Sequence, residues 1–129
     1  MTGEELRARR EYLGIGRPEV AARLGVREDT VRAWERGKDP VPPRIASELA
    51  AMEAEAADHV DDLVDVWRRP DVRDDWAAAV VDQAMPTIQG YGRRWWRHVV
   101  IRAAQTHALP VGALLAAPDR YSGMPEQSQ

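Results

Sequence analysis

Residues 17–37 read RPEVAARLGVREDTVRAWERG, and this stretch decides the fold. Val20, Ala21 and Leu24 recur at i, i+1 and i+4, which marks one buried helix face. Pro18 falls in the first turn, where its missing N–H is tolerated. Gly25 ends this helix with a residue suited to a left-handed backbone. Val26 enters the turn. Val31 and Trp34 give the next helix its buried side, and Gly37 stops it. Ala21 and Gly25 are small where two helices must approach closely.

Two short helices joined in this way have the spacing of a helix-turn-helix, in which the second helix enters the DNA major groove. Arg10, Arg17–Leu24, Gly25, Val31, Trp34, Glu35, Gly37 and the prolines at 40 and 42 resemble the lambda-repressor-like helix-turn-helix regulators, of Cro or xenobiotic-response-element type. The resemblance covers roughly residues 4–55 and rests on the pattern A-x3-G-V…V-x2-W-E-x-G. It implies an all-helical head, and a pair between Arg10 and Glu35 that clamps the first helix to the third. More loosely, the MTGEELRARR start, the VRAWERGKDPVP stretch and a small second region resemble autorepressors encoded beside anti-CRISPR genes.

Outside the motif, Thr2 caps a helix over about residues 3–13, with Glu5 at the capping-box position, and Gly14 and Gly16 break it. After a Pro-rich loop at 38–43, Arg44 to about Ala57 forms a fourth helix through Ile45, Leu49 and Met52. Leu6, Leu13, Val20, Leu24, Val31, Ile45 and Leu49 then supply one small core. DHVDDLVDVWRR, residues 58–69, fits a helix, with a short strand at residues 60–69 as the alternative. Asp71 caps a helix running through Trp76 to Gln83, and Met85-Pro86 and Gly90–Gly92 bound a loop. From Arg93 to about His107 the apolar positions Trp96, Val99, Val100 and Ala103 predict a second strong helix, and Val111–Ala116 a short one. The expected architecture is mostly α. A helix-turn-helix head occupies residues 1–57, a mainly helical dimerisation or interaction region 58–117, and a disordered tail 118–129.

The chain of 129 residues carries a net charge of −3, which appears wrong for a nucleic-acid binder until it is resolved by position. Residues 1–44 sum to +2, residues 45–92 to −8 and residues 93–129 to +3, so the acid lies mainly outside the motif. There is no cysteine, hence no disulfide or thiolate metal site. Apolar runs are short and no signal-peptide pattern opens the sequence, so a cytoplasmic protein without membrane contact is expected. His59, His98 and His107 are scattered, so no metal site and no cofactor is expected. The absence of a Ser/His/Asp, metal or phosphate-loop constellation argues against an enzyme.

The expected partner is double-stranded DNA. Arg27, Glu28, Asp29, Arg32 and Ala33 are the candidate base readers, because Val31 and Trp34 turn the other side of the helix inward. Only Arg32 among them suits the bidentate guanine contact. Glu28 and Asp29 have two readings. They stabilise the helix N-terminus by about 0.5 kcal/mol each, or Glu28 takes a cytosine amino group or holds Arg32 at i+4. Arg27 stands where the resembled family often has a Ser or Thr cap. Arg10, Arg17, Arg36, Lys38 and Arg44 are the candidate phosphate contacts. Trp67, Trp76, Trp95, Trp96, Val99, Val100 and Ala103 are expected to join two copies, so that two heads meet an inverted repeat. Arg93, Arg94 and Arg97, beside Trp95 and Trp96, can instead stack on bases or pair with the acidic 53–75 segment. The function expected is an autoregulatory repressor of phage or mobile-element type. The rivals are an antitoxin-like interaction module and a monomeric repressor reading an asymmetric site.

Overall fold

A computed structural model describes residues 1–69 and 76–120. Its helices are α1 (Gly3–Leu13), α2 (Arg17–Leu24), α3 (Glu28–Glu35), α4 (Pro43–Trp67), α5 (Trp76–Tyr91), α6 (Arg93–Ala104) and α7 (Val111–Ala116). A 3-10 turn follows at Ala117–Arg120. The fold is mostly α, with no strand among the described residues. The capping role read for Asp71 and the tail at 121–129 lie outside the described residues.

The first three helices begin and end by local chemistry. Thr2 Oγ1 accepts from the Glu5 amide at 3.0 Å, while the Glu5 carboxylate turns to Arg9. Gly14, Gly25 and Gly37 all have φ near +70° to +76°. Each closes a Schellman motif, with Ile15 N–H donating to the Arg10 carbonyl, Val26 N–H to Ala21 and Lys38 N–H to Ala33. Gly3 serves a different need. A Cβ there would collide with the Trp34 carbonyl, so glycine lets the start of α1 lie against the end of α3.

α4 is a single 25-residue helix, and this removes the strand alternative for residues 60–69. Ile45, Leu49, Met52, Ala56, Leu63 and Val64 keep one buried face along its length, and no breaker stands between residues 57 and 58. The boundary expected at residue 57 therefore falls inside a helix. α5 also corrects the sequence reading, because it continues through Pro86 to Tyr91 where a loop was expected. Val80, Val81, Ala84, Met85, Ile88 and Tyr91 are buried on one side of it. Pro86 is on the exposed side, where the carbonyl that loses its donor can turn to water. Gly92, at φ 101°, separates α5 from α6.

α6 lies across α4 and is also packed on α1, α5 and α7. Trp95, Trp96, Val99, Val100 and Ala103 are all 0–2% exposed within the chain. This corrects their assignment to a dimer interface. The apolar stripe had to bury itself somewhere, and α1, α4, α5 and α7 of the same chain cover it. Trp96 Nε1 also donates to the Leu114 carbonyl at 2.9 Å, which satisfies its polar edge. Trp67 and Trp76 stay nearer the surface, with ring centroids 4.9 Å apart and Trp67 40% exposed. The tail expected from residue 118 is ordered at its start, where Ala117 and Pro118 are buried and Asp119 pairs with Arg93. A single apolar core runs from Leu6 to Ala117.

Candidate nucleic-acid interface

α2, the turn Gly25–Arg27 and α3 form the candidate surface. Val31 and Trp34 anchor α3 on the core side at 0% and 5% exposure. That orientation leaves the other side of the helix to Arg27, Glu28, Asp29 and Arg32. Arg27 takes the N-cap position of α3 and makes no side-chain cap bond, so α3 starts without the roughly 1 kcal/mol that a Ser or Asp cap contributes. Arg27 and Asp29 are the most exposed of the group, at 85% and 74%. Arg32 is braced from both sides. Its Nη1 donates to Asp29 at 3.0 Å and its Nη2 to Glu28 at 3.1 Å. The two acids thus hold the guanidinium through i,i+3 and i,i+4 pairs on the helix surface. Ala33 is half-buried.

Behind α3 sits a charged clamp. Arg10 Nε and Nη2 donate to the two Glu35 oxygens at 2.7 and 2.9 Å, and Arg10 Nη1 donates to the Ile15 carbonyl at 3.0 Å. The Arg17 Nε adds a third donor to Glu35 at 2.9 Å. The Arg10 and Glu35 side chains are 6% and 2% exposed. Burial pushes the Glu35 carboxyl up, but the hydrogen bonds and charges of Arg10 and then Arg17 outweigh it and hold the group below the usual carboxylate range. The clamp fastens α1, the start of α2 and the end of α3 together.

The candidate phosphate contacts divide accordingly. Arg36, Lys38 and Arg44 are exposed around the end of α3 and the start of α4. Arg17, at 31% exposure, stands at the start of α2 with its Nε committed to Glu35. Arg10 does not belong in this set. Its guanidinium is spent on Glu35 and Ile15 inside the protein, which is the reverse of a surface contact.

Sequence reasoning missed four other pairings, because nothing local announces a partner 32 to 68 residues away. Arg9 Nε meets Glu53 at 2.9 Å, and the hydrogen bond and charge of Arg9 lower the Glu53 carboxyl against its partial burial. Tyr91 donates to Glu55 at 2.9 Å, and Arg23 binds both of them. Burial and then Glu55 push the Tyr91 phenol up to about 12, against the pull of Arg23. These groups line a cleft of about 370 Å³ between α2, α4 and α5. Among the described residues, no group of three metal-binding side chains is gathered and no helix is long and apolar enough to cross a membrane.

A family model described as a helix-turn-helix domain matches residues 3–63. Residues 3–63 are a helix-turn-helix domain. The match runs past residue 57 into the second half of α4, in keeping with the unbroken helix there. The chain is also similar to a protein of Pyrobaculum aerophilum that carries the provisional name of HTH-type transcriptional regulatory protein. The two are 42% identical over 50 residues, which is 39% of this chain and 20% of that relative. The chain thus covers about a fifth of the length of the curated relative it matches. No solved structure matches the chain significantly.

Proposed function

We propose that the chain is a sequence-specific, double-stranded-DNA-binding transcriptional repressor, autoregulatory and of the phage or mobile-element type. One observation carries this reading. α3 presents Arg32, held by Glu28 and Asp29, on the side opposite its buried Val31 and Trp34. A fixed guanidinium on the second helix of a helix-turn-helix suits the O6 and N7 edge of guanine. Arg27 and Ala33 stand beside it, the latter small enough to meet a thymine methyl. Arg17, Arg36, Lys38 and Arg44 supply the sequence-independent phosphate contacts. The chain works by binding and needs no reaction chemistry or cofactor.

The test is a mobility shift at stated salt with the DNA upstream of the chain's own gene. A site preferred over random duplex is expected, and equal affinity for both refutes the reading.

The repressor acts as a homodimer on an inverted repeat, with half-sites about one helical turn apart. With Trp95, Trp96, Val99, Val100 and Ala103 consumed by the core, the support for pairing passes to Trp67 beside Trp76. Sedimentation of the full chain at micromolar concentration should show a dimer that Trp67→Ala weakens. A monomer there removes the dimer from the proposal and leaves DNA binding standing.

A further inference from the structure

The start of α6 lies directly against the turn between α1 and α2. A Cβ on Gly14 would reach 2.6 Å from the Arg94 carbonyl carbon and 2.9 Å from the Trp95 amide nitrogen. These are backbone atoms, so the position of Arg94 is set by main-chain packing and not by the reach of a flexible side chain. From there the guanidinium extends to the start of α2. Arg94 Nη2 is 3.4 Å from where a Cβ on Gly16 would stand. Gly16 is the N-cap of α2, which has no side-chain cap bond. The next residue is Arg17, already tied to Glu35 at the end of α3. Arg94, the first turn of α2, Arg17 and α3 are therefore neighbours in space along one edge of the candidate interface.

We propose that Arg94 is a DNA phosphate contact contributed from outside the helix-turn-helix, so that the C-terminal layer extends the interface. The inference rests on the DNA-binding reading above. A guanidinium offers five N–H donors in a planar fork suited to phosphate. Arg94 keeps its existing interaction within the chain while others of its donors meet the phosphate. The first-turn amides of α2 add the positive end of a helix dipole at the same place. Two carboxylates oppose it: Glu19, whose Oε1 also lies beside Gly16, and Glu35, which Arg10 and Arg17 share. Arg10, Arg17 and Arg94 together outnumber them by one positive charge, so the balance favours an anion. The arrangement also explains how a chain of net charge −3 can hold DNA. Arg94 is far from the motif in sequence and is returned to its edge by the packing of α6 on α1.

The experiment uses the full chain and a fluorescein-labelled random duplex of about 20 base pairs, because the phosphate term is independent of sequence. Affinity is measured between about 50 and 200 mM salt for the wild type, Arg94→Gln, Arg94→Lys and Arg102→Gln. Loss of one phosphate contact makes the log–log salt slope shallower by about 0.9, so the advantage of the wild type over Arg94→Gln should shrink about 3.5-fold across that range. Arg94→Lys should retain most of the slope. Arg102, about 12 Å further along α6 and close to Glu53 and His98, should leave the slope unchanged when neutralised. A wild-type slope in folded Arg94→Gln overturns the inference while the DNA reading survives, whereas a wild type that binds no duplex removes both.

If Arg94→Gln does not fold, Arg94→Lys decides by a second route. Lys38 is the only lysine of the natural chain. Acetylation with and without duplex, read by mass spectrometry, then reports two sites. Protection by DNA of the lysine in Arg94→Lys supports the contact, and equal acetylation in both conditions overturns it.

Discussion

The helices of the motif and the layer that covers them are held by opposite means. α1, α2 and α3 meet through a buried charge cluster, with Glu35 taking three guanidinium donors from Arg10 and Arg17. α6 is fixed by large apolar area, with Trp95 and Trp96 at 0% and 2% exposure. The first arrangement specifies geometry, since a bidentate pair works at only one relative position of its helices, but desolvation takes back much of what the charges contribute. The second contributes stability with less directional demand. A reading head needs its recognition helix aimed, and the supporting layer needs mainly to be covered.

The largest expected effect lies in the supporting layer. Trp96→Ala should lower stability by about 3–5 kcal/mol, through the cavity and the unsatisfied Leu114 carbonyl. Because one core joins both regions, the head and the covering layer should melt together. Two resolved transitions in calorimetry would break the comparison, by showing that the motif does not depend on the layer.

Next comes the clamp. Glu35→Ala leaves Arg10 buried without its carboxylate and should cost about 3 kcal/mol. The direction with pH is defined by the depressed carboxyl of Glu35. A group whose folded pKa is lowered stabilises fully above its unfolded pKa, and that contribution is lost as pH falls through the folded value. The thermal midpoints of wild type and Glu35→Gln should therefore be well separated at neutral pH and converge below the ordinary carboxylate range. A pH-independent gap would mean that the clamp acts by shape and not by charge.

A smaller and more selective effect is expected at the surface of α3. Arg32→Ala should cost ~1–3 kcal/mol of binding and relax preference at one guanine, with Arg17→Ala weakening all sequences alike. Affinities against single-base operator variants check this. A uniform loss for Arg32→Ala would make it a backbone contact and displace the docking proposed here. The smallest effect should come from Arg7→Ala, which breaks only the exposed i,i+4 pair with Glu11. About 0.3–0.5 kcal/mol is expected from urea titration. A cost comparable to that of Glu35→Ala would erase the distinction between clamp and surface pair.

The amino-acid sequence by itself determined the motif: its helix limits, the left-handed glycines at 14, 25 and 37, the inward Val31 and Trp34, and the outward Arg32. All of these follow from interactions within four or five residues, which periodicity and capping chemistry record directly. The resemblance added the Arg10–Glu35 pair, which spacing alone does not reveal. Tertiary structure decided the rest. The apolar stripe of α6 announced that it would be buried, but not whether α4 of the same chain or a second copy would cover it. α5 runs through Pro86 because its buried face outweighs one lost hydrogen bond, a balance that no local rule contains. Arg94 reached the start of α2 because the glycine at 14 lets its turn touch the Arg94–Trp95 backbone across about 80 residues of chain. A sequence displays the period of each face. Which faces meet depends on the geometry of all the helices at once.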